Sequence, residues 1–282
     1  MRKMIEKIAP GRIVSFVEVM NITTLLITKG LRKKGKKIPV IISERTDPFI
    51  FKIPAPMEFL RKFTYPWAHK IVVQRDNVKG YYTSKVQSLM VTISNAVPAF
   101  SSDITVLRKP VIISIGRLNI DKAYHVLIEA FSQLALQYPD WSVEVYGEGI
   151  ERSNLEKLIG DLALEKQIKL PGRTQNVSEK LASSSIFAFP TRFEGFSNAL
   201  AEAMAAGLPV VASDCDGNLA LVVPEKNGLL VKQGSVDDMA SSLKTLIDSQ
   251  KKREFLGQAA QKSMLQFAPE KVMKKWDAIL EA

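Results

Sequence analysis

The chain has 282 residues, of which 46% are hydrophobic and 24% charged, which is the length and composition of a soluble globular protein with two domains. The net charge of +10 lies entirely in residues 1–100, which hold eighteen lysines and arginines against six aspartates and glutamates. Because Cys215 is the one cysteine, an internal disulfide is excluded, and we expect neither a signal peptide, given Pro10 and Gly11, nor a membrane-spanning helix.

The first part of the chain alternates short apolar runs with amphipathic stretches, a pattern typical of βα units around a parallel sheet. Prolines flank the amphipathic stretch within residues 51–67, so its helix is expected to be short and its flanks extended. Residues 93–110 contain prolines and serines but few periodic apolar positions, and they are expected to link the two parts. The strand candidates of the first part are residues 12–17, 39–44, 70–74 and 89–94.

The excess positive charge of the first part indicates an anionic partner, which could be a membrane surface, a phosphorylated lipid or a nucleic acid. A solvated basic face is the plainer explanation. The local cluster "KGLRKKGKK" at residues 29–37 is typical of a helix end that runs into a loop. It lacks interleaved aromatic residues, and nucleic-acid binding therefore has little support.

The second part repeats the βα pattern six times. Residues 121–138 place apolar side chains on one stripe, which predicts a helix that rests on a sheet. Three further helices are predicted at residues 235–248, 251–266 and 269–281. The strand candidates are residues 111–116, 142–147, 168–172, 185–190, 209–213 and 228–231.

Two glutamates with seven residues between them, Glu194 and Glu202, mark the most informative segment. A strand ends just before it, and a helix is expected to begin near Ser197 or Asn198, either of which could cap it. The free N–H groups of a helix start bind phosphate, and Gly195 lets a ligand approach the backbone closely. A carboxylate accepts two hydrogen bonds from vicinal hydroxyls. The pattern thus favours a nucleoside diphosphate that carries a sugar, although a loop charge and a solvent-facing helix residue are the default for two such glutamates.

The segment "EGFSNALAEAMAAGLPVVASD" strongly resembles the E-x7-E region of family 4 of the retaining, nucleotide-sugar-dependent glycosyltransferases. The resemblance covers residues 90–282 and includes "SIGRLNIDKAYHVLIEAF", "VYGEG", "LPGRTQNV" and "NGLLV" in the same order. It implies an α/β protein of the GT-B fold, with two Rossmann-like domains built on parallel sheets. Residues 42–48, "ISERTDP", are similar to the acceptor domain of bacterial transferases that build capsule, exopolysaccharide or lipopolysaccharide.

The resemblance also implies roles for particular residues. Glu194 would meet hydroxyls of the transferred sugar near the reacting carbon, and Glu202 would bind the ribose. Arg117 and Lys122 would hold the diphosphate and stabilise the charge of the leaving group. Further substrate-binding positions are expected at Gly116, Gly147, Gly149, Arg173, Gly195, Phe196, Ser197 and Asn198. No metal ligand and no cofactor is expected beside the donor nucleotide sugar, since "DCD" at 214–216 follows a strand of the wrong architecture for a metal-binding D-x-D string.

The function implied is transfer of a hexose or N-acetylhexosamine from a nucleoside diphosphate to a glycan or lipid-linked acceptor, with retention, in cell-surface polysaccharide synthesis. The expected location is the cytoplasm, at the inner face of the plasma membrane. One alternative is a UDP-sugar epimerase of the same fold, and another is a truncated chain that binds nucleotide sugar without turnover. A nicotinamide dehydrogenase is disfavoured because no G-x-G-x-x-G follows a first strand.

The chain departs from the family pattern in several places. Ala123 and Glu225 stand where the family commonly has glycine, and Ala220 stands where it commonly has glutamate, which puts one donor contact in doubt. No glycine-rich loop precedes the first strand, so the acceptor domain is expected to be incomplete and the chain N-terminally shortened. The domains expected are residues 1–100 for the acceptor, 101–268 for the donor, and a C-terminal helix at 269–282 that packs back on the first domain.

Overall fold

The computed structural model describes residues 1–33, 35–98, 100 and 108–281. The chain forms two compact units, unit 1 with Met1–Ala96 and Glu270–Ala282, and unit 2 with Val97–Pro269. Part of the predicted linker, residue 99 and residues 101–107, and one lysine of the basic cluster, Lys34, lie outside the described residues. No helix in the described ranges is both long and apolar enough to cross a bilayer.

Unit 1 is built on a parallel sheet in the order β1-β4-β5-β6, with a separate antiparallel hairpin of β2 and β3. Its strands are β1 (Ile13–Phe16), β2 (Arg32–Lys33), β3 (Lys36–Lys37), β4 (Val40–Ser43), β5 (Lys70–Val73) and β6 (Met90–Thr92). Its first four helices are α1 (Arg2–Ile8), α2 (Glu18–Thr28), α3 (Ala55–Thr64) and α4 (Ser84–Gln87).

Unit 2 is built on a six-stranded parallel sheet in the order β12-β11-β10-β7-β8-β9. Its strands are β7 (Val111–Ile115), β8 (Ser142–Tyr146), β9 (Ile168–Gly172), β10 (Ile186–Phe189), β11 (Val210–Ser213) and β12 (Leu229–Val231). Its helices are α5 (Tyr124–Ser132), α6 (Arg152–Asp161), α7 (Val177–Ser183), α8 (Asn198–Ala205), α9 (Asp216–Leu219), α10 (Val236–Asp248) and α11 (Gln250–Met264). The last helix of the chain is α12 (Pro269–Glu281).

Helices cover both faces of each sheet, which explains why the strands read as nearly continuous apolar runs. In unit 1, Ile42 faces α2 and α3, whereas its neighbour Ile41 faces Val272 and Ile279 of α12. In unit 2, α5, α6 and α10 pack on one face, and α7, α8 and α11 pack on the other. The predicted α/β class with parallel sheets is therefore confirmed.

The helix predicted at residues 121–138 is wrong at both ends. Residues Ile120–Lys122 form a 3-10 turn, and Ala123 then adopts a left-handed conformation (φ 50°, ψ 38°) before α5 begins. The helix ends at Ser132, and turns follow. The apolar stripe continues past these points because apolar spacing reports burial and not the backbone dihedral angles.

Candidate functional site

The strand order of unit 2 reverses between β7 and β10, which are neighbours in the sheet although many residues separate them in the chain. A ligand of an open α/β sheet binds at such a switch point, outside the carboxyl ends of the strands. The loops after β7 and β10 are joined there, because Arg192 N and the Thr191 hydroxyl both donate to Asp121 O, at 2.8 and 3.1 Å. The switch point therefore carries the segments that sequence analysis singled out.

Lys122 and Glu194 meet across these two loops. The Lys122 ammonium forms an ion pair with Glu194 Oε1, although the two residues are 72 positions apart, and it also lies 5.1 Å from the centre of the Phe189 ring. Both side chains are largely buried, 14% and 17% exposed. A lysine beside a helix start is electrostatically unfavourable without an anion, and here Glu194 supplies one.

The start of α8 has no side-chain cap. Ser197 is the N-cap residue, but its fully buried hydroxyl donates to Asn218 Oδ1 at 2.6 Å. The helix begins where the sequence predicted, with Ser197 at the N-cap position, but the Ser197 side chain does not cap it because the buried amide of Asn218 takes the hydroxyl. The N–H of Asn198 donates to Phe196 O at 3.0 Å, whereas the next two N–H groups of α8, at Ala199 and Leu200, keep their capacity to bind an anion.

Glu202 lies on the second turn of α8 and is half-buried. Burial raises the pKa of its carboxyl above the usual range for glutamate. No hydrogen-bond donor or cation pairs with this carboxylate in the described part of the chain. A partly desolvated carboxylate without a partner has full capacity to accept hydrogen bonds from a ligand.

Arg117 follows Gly116 at the end of β7, and its side chain is exposed. Within the described ranges its guanidinium forms no ion pair. The two predicted cations thus differ, since Lys122 is held by Glu194 and Arg117 is not.

The glycines predicted to line the pocket lie where the loops after β7 and β8 touch. A Cβ on Gly147 would lie 1.8 Å from Gly116 O, and a Cβ on Gly149 would lie 2.1 Å from Leu118 O. Backbone hydrogen bonds from Gly116 N to Tyr146 O and from Leu118 N to Glu148 O continue the strand pairing into these loops. The glycines therefore have a packing role here, whatever they contribute to a ligand.

Arg173 follows β9 and is exposed beside Glu148. The pKa of Glu148 is lowered, chiefly by two hydrogen bonds from Arg152 at 2.8 Å and to a lesser extent by the charge of Arg173. Arg173 thus lies on the β8–β9 side of the switch point.

The loop of residues 195–198 divides into exposed and buried parts. Phe196 is buried and packs against Phe267, with ring centroids 5.6 Å apart, so its backbone alone can reach a ligand. Gly195 is half-buried and Asn198 is exposed.

Sequence reasoning missed the support beneath this loop. Asn218 is fully buried and also donates to Ser213 O at 2.9 Å, while the Ser213 hydroxyl donates to Thr191 O. Gly217 packs directly beneath the loop, where a Cβ would lie 2.5 Å from Glu194 Cβ. The available signal was the "DGN" at 216–218, a turn sequence that follows a strand at this same edge.

The chain is similar to known proteins of one family. The family described as "Glycosyl transferases group 1" matches residues 101–263, which is more than half of the chain. An uncharacterized glycosyltransferase of Haemophilus influenzae is 35% identical over 178 residues, which are 62% of this chain and 50% of that protein. The amylovoran biosynthesis glycosyltransferase AmsD of Erwinia amylovora is 26% identical over 269 residues, 93% of this chain and 74% of that one. In Campylobacter jejuni, an N-acetylgalactosaminyltransferase named for a diphospho-undecaprenol substrate is 31% identical over 241 residues, 79% and 64% of the two chains.

Solved structures show the same fold at low identity. HepE of Anabaena, in complex with UDP, superposes with a TM-score of 0.85 at 19% identity and covers 99% of this chain and 81% of that one. TarM of Staphylococcus aureus, also with UDP, gives a TM-score of 0.83 at 18% identity over 100% of this chain. This chain spans half of the Haemophilus relative and 58% of TarM. The chain belongs to the glycosyl transferases group 1 family and has its GT-B architecture.

Proposed function

We propose that the chain transfers a hexose or N-acetylhexosamine from a nucleoside diphosphate to a glycan or lipid-linked acceptor, with retention, in cell-surface polysaccharide synthesis. The observation that best supports this proposal is the geometry of the switch point in unit 2. Lys122 pairs there with Glu194, while Glu202 has no partner among the described residues. A donor nucleotide needs cations for its diphosphate and carboxylates for its hydroxyls, and both are present within these two loops.

The diphosphate binds at the start of α8. The uncapped N–H groups and Gly195 receive one phosphate, and the free guanidinium of Arg117 reaches the other. Lys122 has three N–H donors, so it can keep Glu194 and still bind a phosphate oxygen. Glu202, one turn into the helix, accepts hydrogen bonds from the ribose hydroxyls, and Arg173 stacks on the base.

In the transfer step the bond between the anomeric carbon and the β-phosphate oxygen breaks, and the acceptor hydroxyl oxygen bonds to the same face of that carbon. The acceptor proton passes to the leaving phosphate, and a nucleoside diphosphate is released. Arg117 and Lys122 stabilise the negative charge that grows on the leaving group, a contribution that is commonly the largest in such reactions. Glu194, oriented by Lys122, holds a hydroxyl of the sugar near the reacting carbon.

The relatives support this substrate class. AmsD is named for amylovoran biosynthesis, the Campylobacter relative for a diphospho-undecaprenol acceptor, and HepE and TarM were solved with UDP. A carrier lipid of this kind would hold the acceptor at an anionic membrane, which suits the positive charge of residues 1–100.

The test is UDP binding, measured by calorimetry and by thermal shift. Saturating UDP, at about a hundred times its dissociation constant, adds about 2.7 kcal/mol to the free energy of unfolding. Glu202→Ala should weaken UDP binding about tenfold or more through loss of charge-assisted hydrogen bonds. The control is Glu254→Ala, on α11, which should leave binding unchanged. The proposal fails if UDP and GDP do not bind, or if both variants bind UDP like the parent chain.

A second arm tests turnover. Release of nucleoside diphosphate from the donor should require an added acceptor, and the product should keep the anomeric configuration of the donor. Release without acceptor would favour an epimerase, and binding without release under any acceptor would favour a non-catalytic chain.

A further inference from the structure

Helix α1 presents an apolar stripe to solvent. Met1, Met4, Ile5 and Ile8 recur at the spacing of one helical face, yet Met1, Met4 and Ile8 are each about two thirds exposed, at 65%, 64% and 66%. No residue of this helix is buried. A helix with an unburied apolar stripe between cationic side chains is typical of an interfacial helix.

A second exposed apolar group lies on α3 and the turn after it. Phe59 and Phe63 are 70% and 53% exposed, and their rings stack 6.5 Å apart with an interplanar angle of 2°. Trp67 packs edge-on against Phe63 at 4.9 Å. Two exposed rings and the half-buried Trp67 thus form one row.

Lys29 joins the two groups. Its ammonium lies 4.0 Å from the centre of the Trp67 ring, and its carbonyl accepts a hydrogen bond from Arg2 of α1 at 3.2 Å. Arg2 also donates to Ile27 O at 3.1 Å, which fixes α1 at the end of α2. We define the aromatic–basic surface of unit 1 as Met1, Met4, Ile8, Lys29, Phe59, Phe63 and Trp67.

Positive charge surrounds this surface. Arg2, Lys3 and Lys7 lie on α1. Lys62 lies one turn from Phe59, 72% exposed and 4.0 Å from a carboxylate oxygen of Glu58, which Arg61 also pairs. Glu6, the acidic residue of α1, is already paired with Arg2 at 3.2 Å.

We propose that the aromatic–basic surface docks unit 1 on an anionic phospholipid bilayer, with the aromatic rings and the apolar stripe of α1 in the headgroup layer and the lysines against the lipid phosphates. The proposal deepens the proposed function, since a lipid-linked acceptor lies at a membrane, but it depends on unit 1 alone. Aromatic rings and long basic side chains both favour the membrane–water interface.

Charge complementarity favours a bilayer over a second copy of the chain as the occupant. Two such surfaces face to face would bring the lysines of both copies together, while the nearby carboxylates of Glu6 and Glu58 are already paired within each copy. An anionic bilayer supplies the opposite charge over a wide area and also an apolar layer for the exposed side chains.

The experiment is flotation of the full chain with two kinds of vesicle, phosphatidylcholine alone and phosphatidylcholine with about one third phosphatidylglycerol. The chain should bind the anionic vesicles, and binding should fall as salt is raised. Phe59→Ser combined with Phe63→Ser should weaken binding about tenfold or more, and Met4→Ser combined with Ile8→Ser should weaken it similarly. The control is Phe255→Ser in unit 2, where the phenylalanine is 61% exposed on α11 and lies outside the surface.

Each variant is also measured for UDP affinity and for its thermal melt. A variant that no longer floats with vesicles but keeps its UDP affinity and melting temperature supports the docking surface independently of the donor site. The proposal is overturned if the parent chain ignores anionic vesicles, if it binds neutral vesicles equally well, or if Phe255→Ser loses as much binding as the double variants. It is also overturned if Phe59→Ser with Phe63→Ser turns a dimer into a monomer in sedimentation while vesicle binding persists.

Discussion

The carboxyl edges of the two parallel sheets carry similar side chains and use them differently. In unit 1, Glu44 follows β4, is 1% exposed, and accepts hydrogen bonds from Tyr65, Asn21 and Tyr82. In unit 2, Glu202 is half-buried and has no such partner among the described residues. A carboxylate near a sheet edge therefore points most directly to a ligand where the fold leaves its acceptor capacity unused, as at Glu202.

The segment of residues 42–48, which resembles an acceptor domain, shows this internal use most clearly. Burial raises the pKa of the Glu44 carboxyl, and hydrogen bonds from Tyr65 and Asn21 oppose the shift. Asp47 forms a buried ion pair with Arg75, which follows β5. The acceptor capacity of Glu44 and Asp47 is thus used inside unit 1.

The largest expected effect follows from Asp47→Ala. Removing one partner of a buried ion pair leaves the other charge desolvated, and the free energy of unfolding should fall by about 3–5 kcal/mol. The matched control is Asp76→Ala, since Asp76 is 77% exposed in its pair with Lys79 and should contribute less than about 1 kcal/mol. Urea unfolding measures both. Equal effects of the two substitutions would contradict the structural role assigned to the edge of unit 1.

Lys122→Ala tests the same edge in unit 2, where activity rather than stability should respond. Loss of a cation that stabilises the leaving phosphate should lower kcat by about 10²–10³-fold. Lys232→Ala, at an exposed position beyond β12, should leave kcat unchanged. A rate within a few fold of the parent enzyme would show that Lys122 serves only to hold Glu194.

Asn218→Ala addresses the support under the start of α8. The buried amide joins Ser197 to Ser213, and its removal leaves buried polar groups unpaired, so unfolding should become easier by about 1–3 kcal/mol. UDP affinity should fall as well, because the loop over Gly217 loses its anchor. Asn154→Ala, at an exposed position on α6, is the control and should change neither value.

Sequence reasoning placed the strands of the two parallel sheets and the segments at the switch point, because apolar periodicity and local motifs carry that information. It missed the hairpin of β2 and β3, whose polar residues were interpreted as a helix end and a loop. It did not find the Asn218 network or the ion pair between Lys122 and Glu194, since both depend on contacts between segments distant in the chain. The backbone conformation explains why glycine is common at two positions where this chain departs from the family pattern. Ala123 and Glu225, which stand where glycine is common, have φ angles of 50° and 60°. The roles of the individual site residues toward a donor stay predictions.

The two edges also share a strained feature. Val17 in unit 1 and Ala123 in unit 2 each connect the carboxyl edge of a sheet to a helix, and each has a positive φ angle, 71° and 50°. Such conformations cost an L-residue about 1–2 kcal/mol, and glycine removes this cost. Because glycine also raises the conformational entropy of the unfolded chain, the net stabilisation by Val17→Gly or Ala123→Gly should be about 0.5–1 kcal/mol. Ala259→Gly, within α11, should have the opposite sign, at about 1 kcal/mol. Thermal melts of the three variants give the comparison.

The smallest expected effect is a pH dependence that separates the two carboxylates. Burial raises the pKa of both Glu44 and Glu202. As pH falls through its raised pKa, Glu202 gains a proton. If Glu202 binds the ribose as proposed, it can then no longer accept from both hydroxyls, and UDP affinity should fall by about threefold at pH values where an ordinary glutamate stays ionised. Glu44 acts with the opposite sign on stability, since a raised folded-state pKa stabilises the fold at low pH and this contribution is lost as pH rises through that value.

Calorimetry across pH on the parent chain and on Glu202→Gln measures the effect of Glu202 on UDP affinity, because the ratio of the two Kd values cancels the titration of the nucleotide's own phosphate. A ratio that stays constant with pH would mean that Glu202 does not touch the nucleotide, and the contrast between the two sheet edges would then be one of burial alone.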